Sequence, residues 1–129
     1  MVAKSPEHVV ELLDRAFNAK DIDGVLSFYE DNAVVVIEPG RLARGQSELR
    51  AFFEGVMASQ VSAAQLKTHV MEADGVALFI SRWVLRVSEH GEDTERRFVA
   101  TTVFRRQADG GWKALIDNSL GPLVLGPEV

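Results

Sequence analysis

The sequence has no cysteine and no apolar run near the roughly 20 residues that a membrane-spanning helix needs. Without cysteine, the chain can form neither a disulfide framework nor a thiolate metal site. Its net charge of −5 opposes nucleic-acid binding, because phosphate backbones require a basic surface. The first residues, MVAKSPEH, lack the apolar core of a secretion signal. These absences predict a cytoplasmic protein that binds neither nucleic acid nor a membrane.

Motifs for cofactors and metals are missing as well. The glycines form neither a phosphate-binding loop nor a dinucleotide-binding pattern. The three histidines, His8, His69 and His90, lie far apart, and no pair has the spacing of metal ligands. We therefore expect no cofactor and no metal. With 47% apolar and 26% charged residues, the composition is that of one ordinary globular domain over residues 1–129.

The first half of the chain carries helix signals on both sides of one strand. Residues 5–7, Ser-Pro-Glu, form a helix start in which serine caps free N–H groups and proline fits the first turn. Asp21 can cap a short second helix that includes Tyr29, and residues 33–38, AVVVIE, form the first strand. Residues 41–44, RLAR, lie between two glycines and can form a small second strand. A third helix follows from apolar residues at helical spacing, namely Leu49, Phe52, Phe53, Val56 and Met57.

From Val61 onward the apolar period changes to two, which is the period of strands. Three turn sequences, Asp-Gly at 74–75, His-Gly at 90–91 and Asp-Gly-Gly at 109–111, divide this half into extended segments. An antiparallel meander of long strands is therefore predicted, and sheets of long strands twist and curl. The four segments are residues 64–73, 76–88, 95–107 and 112–119.

This order of elements predicts an α+β fold. A curved antiparallel sheet, made of the four-strand meander and the N-terminal strand, wraps around three N-terminal helices. Helices that precede a curled sheet can cover its concave face without filling it. We therefore expect a cone-shaped domain with a cavity between helices and sheet, which is a natural small-molecule site. The apolar residues 123–125, Leu-Val-Leu, in the tail GPLVLGPEV, are expected to plug the mouth of the cone or to pack across a dimer.

Four stretches of the sequence carry a family resemblance: FNAKDIDGVLSFYEDNAVV at 17–35, GRLARGQSELRAFFEGV at 40–56, GVALFISRWVL at 75–85 and GWKALIDNS at 111–119. Together they resemble the nuclear transport factor 2-like superfamily. Within it, the chain is similar to the polyketide cyclase-like (SnoaL-like) and ketosteroid isomerase-like branches. The resemblance implies a conical α+β barrel, commonly a homodimer, with a deep pocket. Members include isomerases, cyclases, dehydratases and plain binding modules, so the fold does not by itself give the function.

The machinery of the isomerases is matched only in part. The sequence IEPG at 37–40 is similar to a strand-end acid followed by proline, which places Glu38 near the position of the catalytic base. The tyrosine that the resemblance implies on the first helix is absent, and Leu13 stands near its position. Thr102 stands near the position of an aspartic acid on the third strand of the meander. The resemblance therefore implies no classical ketosteroid isomerase oxyanion hole, although the base can survive without it.

Glu38, Asp117 and Asn118 are the candidate catalytic residues. At a cavity lip, partial desolvation would raise the pKa of Glu38 and suit it to proton abstraction, whereas at an ordinary turn it is only a charged residue leaving the core. On the last strand, alternation directs Asn118 inward as a hydrogen-bond donor and Asp117 outward, where it would pair with an arginine. A bulge can reset that alternation, so both residues remain candidates.

The candidate ligand-binding residues are mostly aromatic. Trp83 falls on the concave face of the second meander strand, where an indole forms either a ligand wall or ordinary core. Tyr29 is the only phenol available as an acid, and His69 is a lone strand histidine that is either a pocket base or half-exposed. The full set is Phe17, Tyr29, Phe53, Trp83, His69 and Thr102.

Three functions remain open on this sequence. The first is a cofactor-independent isomerase, cyclase or dehydratase that acts on a small, largely apolar carbonyl compound, with Glu38 as base and Asn118 or Tyr29 as donor. The second is a ligand-binding domain that has the same pocket but no catalytic activity. The third is a dimerisation module whose cavity is filled by its own aromatic side chains.

Overall fold

Six strands form one curved, open sheet whose strand order is β2-β1-β6-β5-β4-β3. The computed structural model describes residues 2–127, so the last two residues of the tail, Glu128 and Val129, lie outside the described residues. The elements are α1 (Pro6–Asn18), α2 (Ile22–Ser27), β1 (Tyr29–Glu38), β2 (Arg41–Arg44), α3 (Gly45–Met57), β3 (Gln60–Ala73), β4 (Val76–Glu89), β5 (Glu92–Arg106), β6 (Trp112–Asn118) and a 3-10 helix (Gly121–Leu125).

The predicted helix starts and the meander are confirmed. The Ser5 hydroxyl accepts a hydrogen bond from the His8 N–H at 3.1 Å, and the Asp21 carboxylate accepts one from the Gly24 N–H at 3.0 Å. The four long strands β3 to β6 pair antiparallel in sequence order, as the period of two and the turn sequences indicated. The short strand at residues 41–44 is also present and pairs with β1.

The sheet differs from the predicted one in strand number and in one pairing. It has six strands rather than five, and it is mixed, because β1 lies parallel to β6. Strand β1 begins at Tyr29, which was expected on the second helix. Tyr29 pairs with Ala114, and the Phe28 carbonyl accepts a hydrogen bond from the Ala114 N–H at 2.8 Å. Pairing with β6 therefore ends α2 at Ser27 and makes the strand begin four residues before the predicted start at residue 33.

Two bulges decide which side chains face the helices. In β3, Gln65 lies opposite Trp83 and Lys67 lies opposite Arg82, which leaves Leu66 as the extra residue. In β6, Ala114 lies opposite Phe104 and Ile116 lies opposite Val103, so Leu115 is the extra residue. Each bulge reverses the alternation of the residues that follow it. The concave face of the sheet carries Gln65 and Ala114, which precede the bulges, and also Asp117, which follows the bulge in β6.

The core lies between the concave face of the sheet and the three helices. Helix α1 buries Val9 and Leu12, and helix α3 buries Leu49 and Met57. Tyr29 at the start of β1 is almost completely buried, and its ring centroid lies 5.5 Å from that of Phe53 on α3. Packing of α1 and α3 against the sheet thus fixes the positions of the side chains that surround the space between them.

Candidate functional site

A cavity of about 310 Å³ lies between the helices and the concave face of the sheet. Its walls are largely apolar, and the ionisable side chains that line it are Asp14, Asp117 and Tyr29. Among the described residues, no lysine, arginine or histidine lines it. Large apolar cavities with a few convergent polar groups are typical of small-molecule sites. The aromatic lining residues are Phe17, Tyr29, Phe52, Phe53, Phe79, Trp83, Phe98 and Phe104.

Asp14 projects from helix α1 into this cavity. Val10, Leu13, Asp14 and Phe17 all line it and are spaced i, i+3, i+4 and i+7, so they form one face of the helix. Asp14 Oδ2 accepts a hydrogen bond from Gln65 Nε2 at 3.0 Å. Burial raises the pKa of Asp14 to about 6, against the smaller opposing effect of the Gln65 hydrogen bond.

Gln65 is held in place from its other side. Its Oε1 accepts a hydrogen bond from the hydroxyl of Ser81, which is buried on the neighbouring strand β4. The bulge at Leu66 therefore does more than bend β3, because it leaves Gln65 opposite Trp83 and aimed at Asp14. This chain of hydrogen bonds sets the orientation of the Asp14 carboxyl group.

Asp117 forms the second acidic centre, on strand β6. Its Oδ2 accepts a hydrogen bond from the Tyr29 hydroxyl at 2.5 Å, and its Oδ1 accepts one from the Thr102 hydroxyl at 3.2 Å. Burial raises the pKa of Asp117, and the two hydrogen bonds oppose that rise. Burial also raises the pKa of Tyr29, with a further contribution from the charge of Asp117.

The two acids are electrostatically coupled. A negative charge on Asp117 raises the pKa of Asp14, although burial is the larger cause. Neither acid takes part in any of the ion pairs of the described residues. Carboxyl groups whose pKa values are raised by burial can keep a proton at pH values where exposed carboxyl groups are ionised. Such a pair can both accept and return a proton.

Six of the nine residues named from the sequence line the cavity. Asp117 was expected to face outward, but the bulge at Leu115 turns it inward and into contact with Tyr29 and Thr102. A carboxyl–hydroxyl cluster therefore replaces the arginine pair that alternation suggested. The lining residues among those named are Phe17, Tyr29, Phe53, Trp83, Thr102 and Asp117.

Glu38 lies outside the cavity. Val35 and Ile37 line the cavity, whereas Glu38 follows a register shift in β1, pairs with Arg41 on β2 and does not line it. Its side chain is 60% exposed, and its Oε1 lies 3.7 Å from Arg41 Nη1 across the turn. This placement agrees with the alternative of a charged residue that leaves the core at a turn.

Asn118 and His69 also lie outside the cavity. Asn118 faces the opposite side of β6, where its amide donates to Thr101 Oγ1 at 3.2 Å and its Oδ1 accepts from the Gly121 N–H at 3.0 Å. The bulge at Leu115 is the reason, because it exchanges the orientations of Asp117 and Asn118. His69 lies opposite Ile80, after the bulge in β3, and its side chain is exposed.

The sequence reasoning missed Asp14 and Gln65. For Asp14 a signal exists, because an acidic residue falls inside the apolar face formed by positions 10, 13 and 17 of a predicted helix. A charged residue in such a face faces either a cavity or a buried partner. For Gln65 no comparable signal exists, because its orientation depends on a bulge that the sequence pattern does not reveal.

The C-terminal segment closes one side of the cavity. Ser119 and Leu120 line it, and the Trp83 indole N–H donates to the Ser119 carbonyl oxygen at 2.9 Å. Leu123 and Leu125 in the following 3-10 helix remain 53% and 85% exposed. Leu123, Val124 and Leu125 do not line the cavity, so they do not plug its mouth, and the alternative that they pack across a dimer stays a prediction.

Replacement of Gly121 by alanine is expected to lower the free energy of unfolding by about 2–4 kcal/mol. Gly121 has a φ of +54°, and an added Cβ would lie 2.2 Å from the Val99 carbonyl oxygen. Gly91→Ala is the matched control, because Gly91 has a φ of +78° but no atom within 4 Å of its added Cβ. Urea unfolding would show a clearly larger loss for Gly121→Ala. Equal losses for both variants would contradict the close contact.

Two further features bear on the range of possible functions. Within residues 2–127, no helix combines the length and the apolar character that crossing a membrane requires. In the same range, no three histidine, aspartate or glutamate side chains are grouped so that they could share a metal ion.

Solved structures with this fold place the chain in a structural class. A CaMKII hub from S. rosetta superposes with a TM-score of 0.76 at 21% identity, over 90% of this chain and 93% of that one. A conserved protein from Planctomyces limnophilus DSM 3776 gives 0.76 at 23% identity, over 87% and 89%. An NTF2-like protein with a cystatin-like fold from Novosphingobium aromaticivorans gives 0.74 at 15% identity, over 85% and 75%. The fold is therefore NTF2-like.

The sequence itself gives the family. Residues 9–115 match the SnoaL-like domain, so the chain belongs to the SnoaL-like family. This match covers α1 through the start of β6 and includes Asp14, Tyr29 and Gln65, whereas Asp117 lies just beyond it. No curated protein sequence matches the chain significantly.

Proposed function

We propose that this SnoaL-like domain binds a small, mainly apolar carbonyl compound and catalyses proton transfer on it without a cofactor. Asp14 is the proposed general base. The observation that carries the proposal is a buried carboxyl pair of raised pKa inside an aromatic cavity. A general base is most effective when its pKa lies near the working pH, and burial moves Asp14 in that direction.

The free oxygen of Asp14 makes the proposed base accessible. Oδ2 is occupied by Gln65, whereas Oδ1 accepts no hydrogen bond from any described residue. Among the described residues no buried side-chain oxygen lacks a hydrogen-bond partner, so Oδ1, which has none, is accessible to solvent on a residue that lines the cavity. In the proposed reaction, Oδ1 removes a proton from the carbon next to the carbonyl group. In a β,γ-unsaturated substrate the product is a dienol or dienolate, which receives the proton back from Asp14 at the γ-carbon as the C=C bond moves into conjugation with the carbonyl group, and this completes an isomerisation.

Asp117 is the proposed acid of the pair. Its raised pKa favours the protonated form, which can donate a hydrogen bond to the carbonyl oxygen as negative charge develops there. The hydroxyl groups of Tyr29 and Thr102 fix the position of this carboxyl group. The acid and the base thus come from the two walls of the cavity, the sheet and helix α1, with substrate between them.

Nitrobenzisoxazole is a suitable first probe for this proposal. It is small, neutral and aromatic, and removal of the C–H proton of its isoxazole ring breaks the N–O bond and releases a coloured cyanophenolate. We expect the protein to open this ring with saturation kinetics and with a rate that falls as pH drops through about 6, where Asp14 becomes protonated. A rate no greater than that of free acetate at equal concentration, or one without saturation, would overturn the proposal.

The Glu38→Gln variant tests whether the base is Asp14, as proposed here, or Glu38, as the sequence suggested. Because Glu38 is exposed and does not line the cavity, we expect ring opening by the variant within about two-fold of the unaltered protein. The same initial-rate assay measures it. A large loss in this variant would return the role of base to Glu38.

A second proposal is self-association through the outer face of the sheet. Met71, Leu78, Val103 and Ile116 lie directly opposite one another across β3, β4, β5 and β6. Leu78, Ile116 and Met71 are 39%, 43% and 47% exposed, which makes a continuous apolar row. Two solved structures of this fold are titled as a CaMKII hub and a CaMKII association domain, which supports the proposal.

Leu78→Glu is expected to convert a homodimer into a monomer. A carboxylate at the centre of the apolar row would be desolvated in the interface without a partner. Sedimentation equilibrium measures the change, and Leu123→Glu, an exposed leucine outside the row, is the matched control. A monomeric starting protein, or equal effects of the two variants, would contradict this proposal and leave the cavity proposal untouched.

A further inference from the structure

The lining of the cavity carries charge of one sign only. Asp14 and Asp117 are its carboxyl groups, and among the described residues no lining side chain is basic. The nearest aromatic–cation contact, Arg96 at 5.2 Å from the Phe98 ring centroid, involves an exposed arginine that does not line the cavity. The cavity therefore disfavours anionic ligands such as phosphates and carboxylates.

The groups that donate hydrogen bonds to the two carboxyl groups are all neutral. Gln65 donates to Asp14, and the hydroxyl groups of Tyr29 and Thr102 donate to Asp117. Buried carboxylates ordinarily have a cationic partner, because desolvation without one is costly. In this chain all ion pairs of the described residues involve other acids. A cationic ligand would supply the missing counter-charge.

The aromatic walls are suited to the same kind of ligand. Rings attract cations through their negatively charged faces, and the attraction grows when the cation is desolvated. Phe52, Phe53 and Phe79 line the cavity together with Asp14, and Phe53 also contacts Tyr29. The carboxylate and the faces of the aromatic rings therefore both stabilise a bound cation, and the low polarity of the cavity strengthens both attractions.

We propose that the cavity selectively binds small hydrophobic amines in their protonated form, with the ammonium group on Asp14 Oδ1 and the apolar body against the aromatic walls. Such an amine occupies the oxygen that acts as base and so inhibits proton transfer competitively. This inference rests on the proposed function only in assuming that the cavity admits small molecules. It adds the charge class of the ligand and a means by which the site is blocked.

The affinity for amines is expected to depend on pH, because ionisable groups surround Asp14 in the cavity. The groups that face Asp14 are Gln65 on β3, Asp117 on β6 and Tyr29 on β1, and of these Asp117 and Tyr29 are titratable. Asp14 must be ionised to hold the ammonium group, so the affinity for amines is expected to fall as pH drops through about 6. The affinity for a neutral ligand of the same shape is expected to stay constant over the same range.

Three probes with one apolar body separate charge from shape. Phenylbutylamine, phenylbutanol and phenylbutanoate are cationic, neutral and anionic at about pH 7.5, and isothermal titration calorimetry measures their dissociation constants. We expect the amine to bind at least about ten-fold more tightly than the alcohol, and the carboxylate to bind most weakly. Equal affinity of amine and alcohol would overturn the inference and leave the proposed proton transfer intact.

Two variants test whether the charge of Asp14 causes the preference for amines, because neither variant is expected to change the shape of the cavity. Asp14→Asn is expected to remove the preference for amine over alcohol while it leaves alcohol binding within about two-fold. Glu11→Gln, an exposed acid on the same helix, is the matched control and should change neither. A preference that persists in Asp14→Asn would overturn the inference. Failure of all three probes to bind the unaltered protein would overturn both this inference and the proposed function.

Discussion

The Asp14→Asn variant is expected to open nitrobenzisoxazole about 100-fold more slowly than the unaltered protein, or slower still, since general bases contribute roughly 10²–10⁴-fold. The asparagine side chain keeps the shape of Asp14 and can still accept the hydrogen bond from Gln65. It cannot accept a proton at its amide. The loss should therefore appear in the turnover number, with little change in the concentration of probe at half-saturation.

Two comparisons make this expectation specific to Asp14. Glu11→Gln removes an exposed carboxylate three residues earlier on α1, where it pairs with Arg15, and should leave the rate unchanged. The unaltered protein is expected to lose rate as pH drops through about 6, and this pH dependence should be absent from the residual rate of Asp14→Asn. If the variant keeps more than about a third of the rate, another group is the base and the assignment of Asp14 is wrong.

The free energy of unfolding is expected to fall as pH rises from about 4 to about 6.5. Asp14 has its ordinary pKa of 3.8 when unfolded and a pKa of about 6 when folded, so the folded state binds more protons in this range. The contribution is fully present below about pH 3.8 and lost as pH rises through 6. A tenfold change in proton affinity corresponds to about 1.4 kcal/mol. The contribution of Asp14 to the free energy of unfolding is therefore on the order of 1–3 kcal/mol.

Asp14→Asn isolates this contribution from the other acids. Glu30 acts in the opposite sense, because the hydrogen bond from Arg105 lowers its pKa and its stabilisation is lost as pH falls. We therefore expect urea denaturation to show the variant more stable than the unaltered protein at pH 7.5, with the difference vanishing near pH 4. A variant that is less stable at pH 7.5 would contradict the cost assigned to burying Asp14.

The fold followed from local patterns wherever those patterns were strong. Helix caps at Ser5 and Asp21, and the change of period after Val61, predicted helices and a meander that the structure confirms. The beginning of β1 was missed because Tyr29 fits a helical face as well as a strand. Its pairing with Ala114, far along the chain, decides between the two.

The site was less predictable, for a physical reason. Its aromatic walls, among them Phe17, Phe53 and Trp83, could be chosen because large apolar side chains on the faces of helices and strands must point inward. The orientation of Asp117 depended on one extra residue, Leu115, and a shift of one residue exchanges the two faces of a strand. Glu38 drew attention by ending an apolar strand, whereas Asp14, inside an apolar helical face, is the carboxylate that reaches the cavity.

The most direct test of the central claim is a titration of the Asp14 and Asp117 carboxyl carbons by ¹³C NMR. The claim is that two coupled carboxyl groups are buried in a hollow space between helices and sheet. We expect a midpoint near 6 for Asp14, a raised midpoint for Asp117, and a change in both when phenylbutylamine is added. Midpoints at or below about 4 for both groups, with no response to the amine, would contradict it.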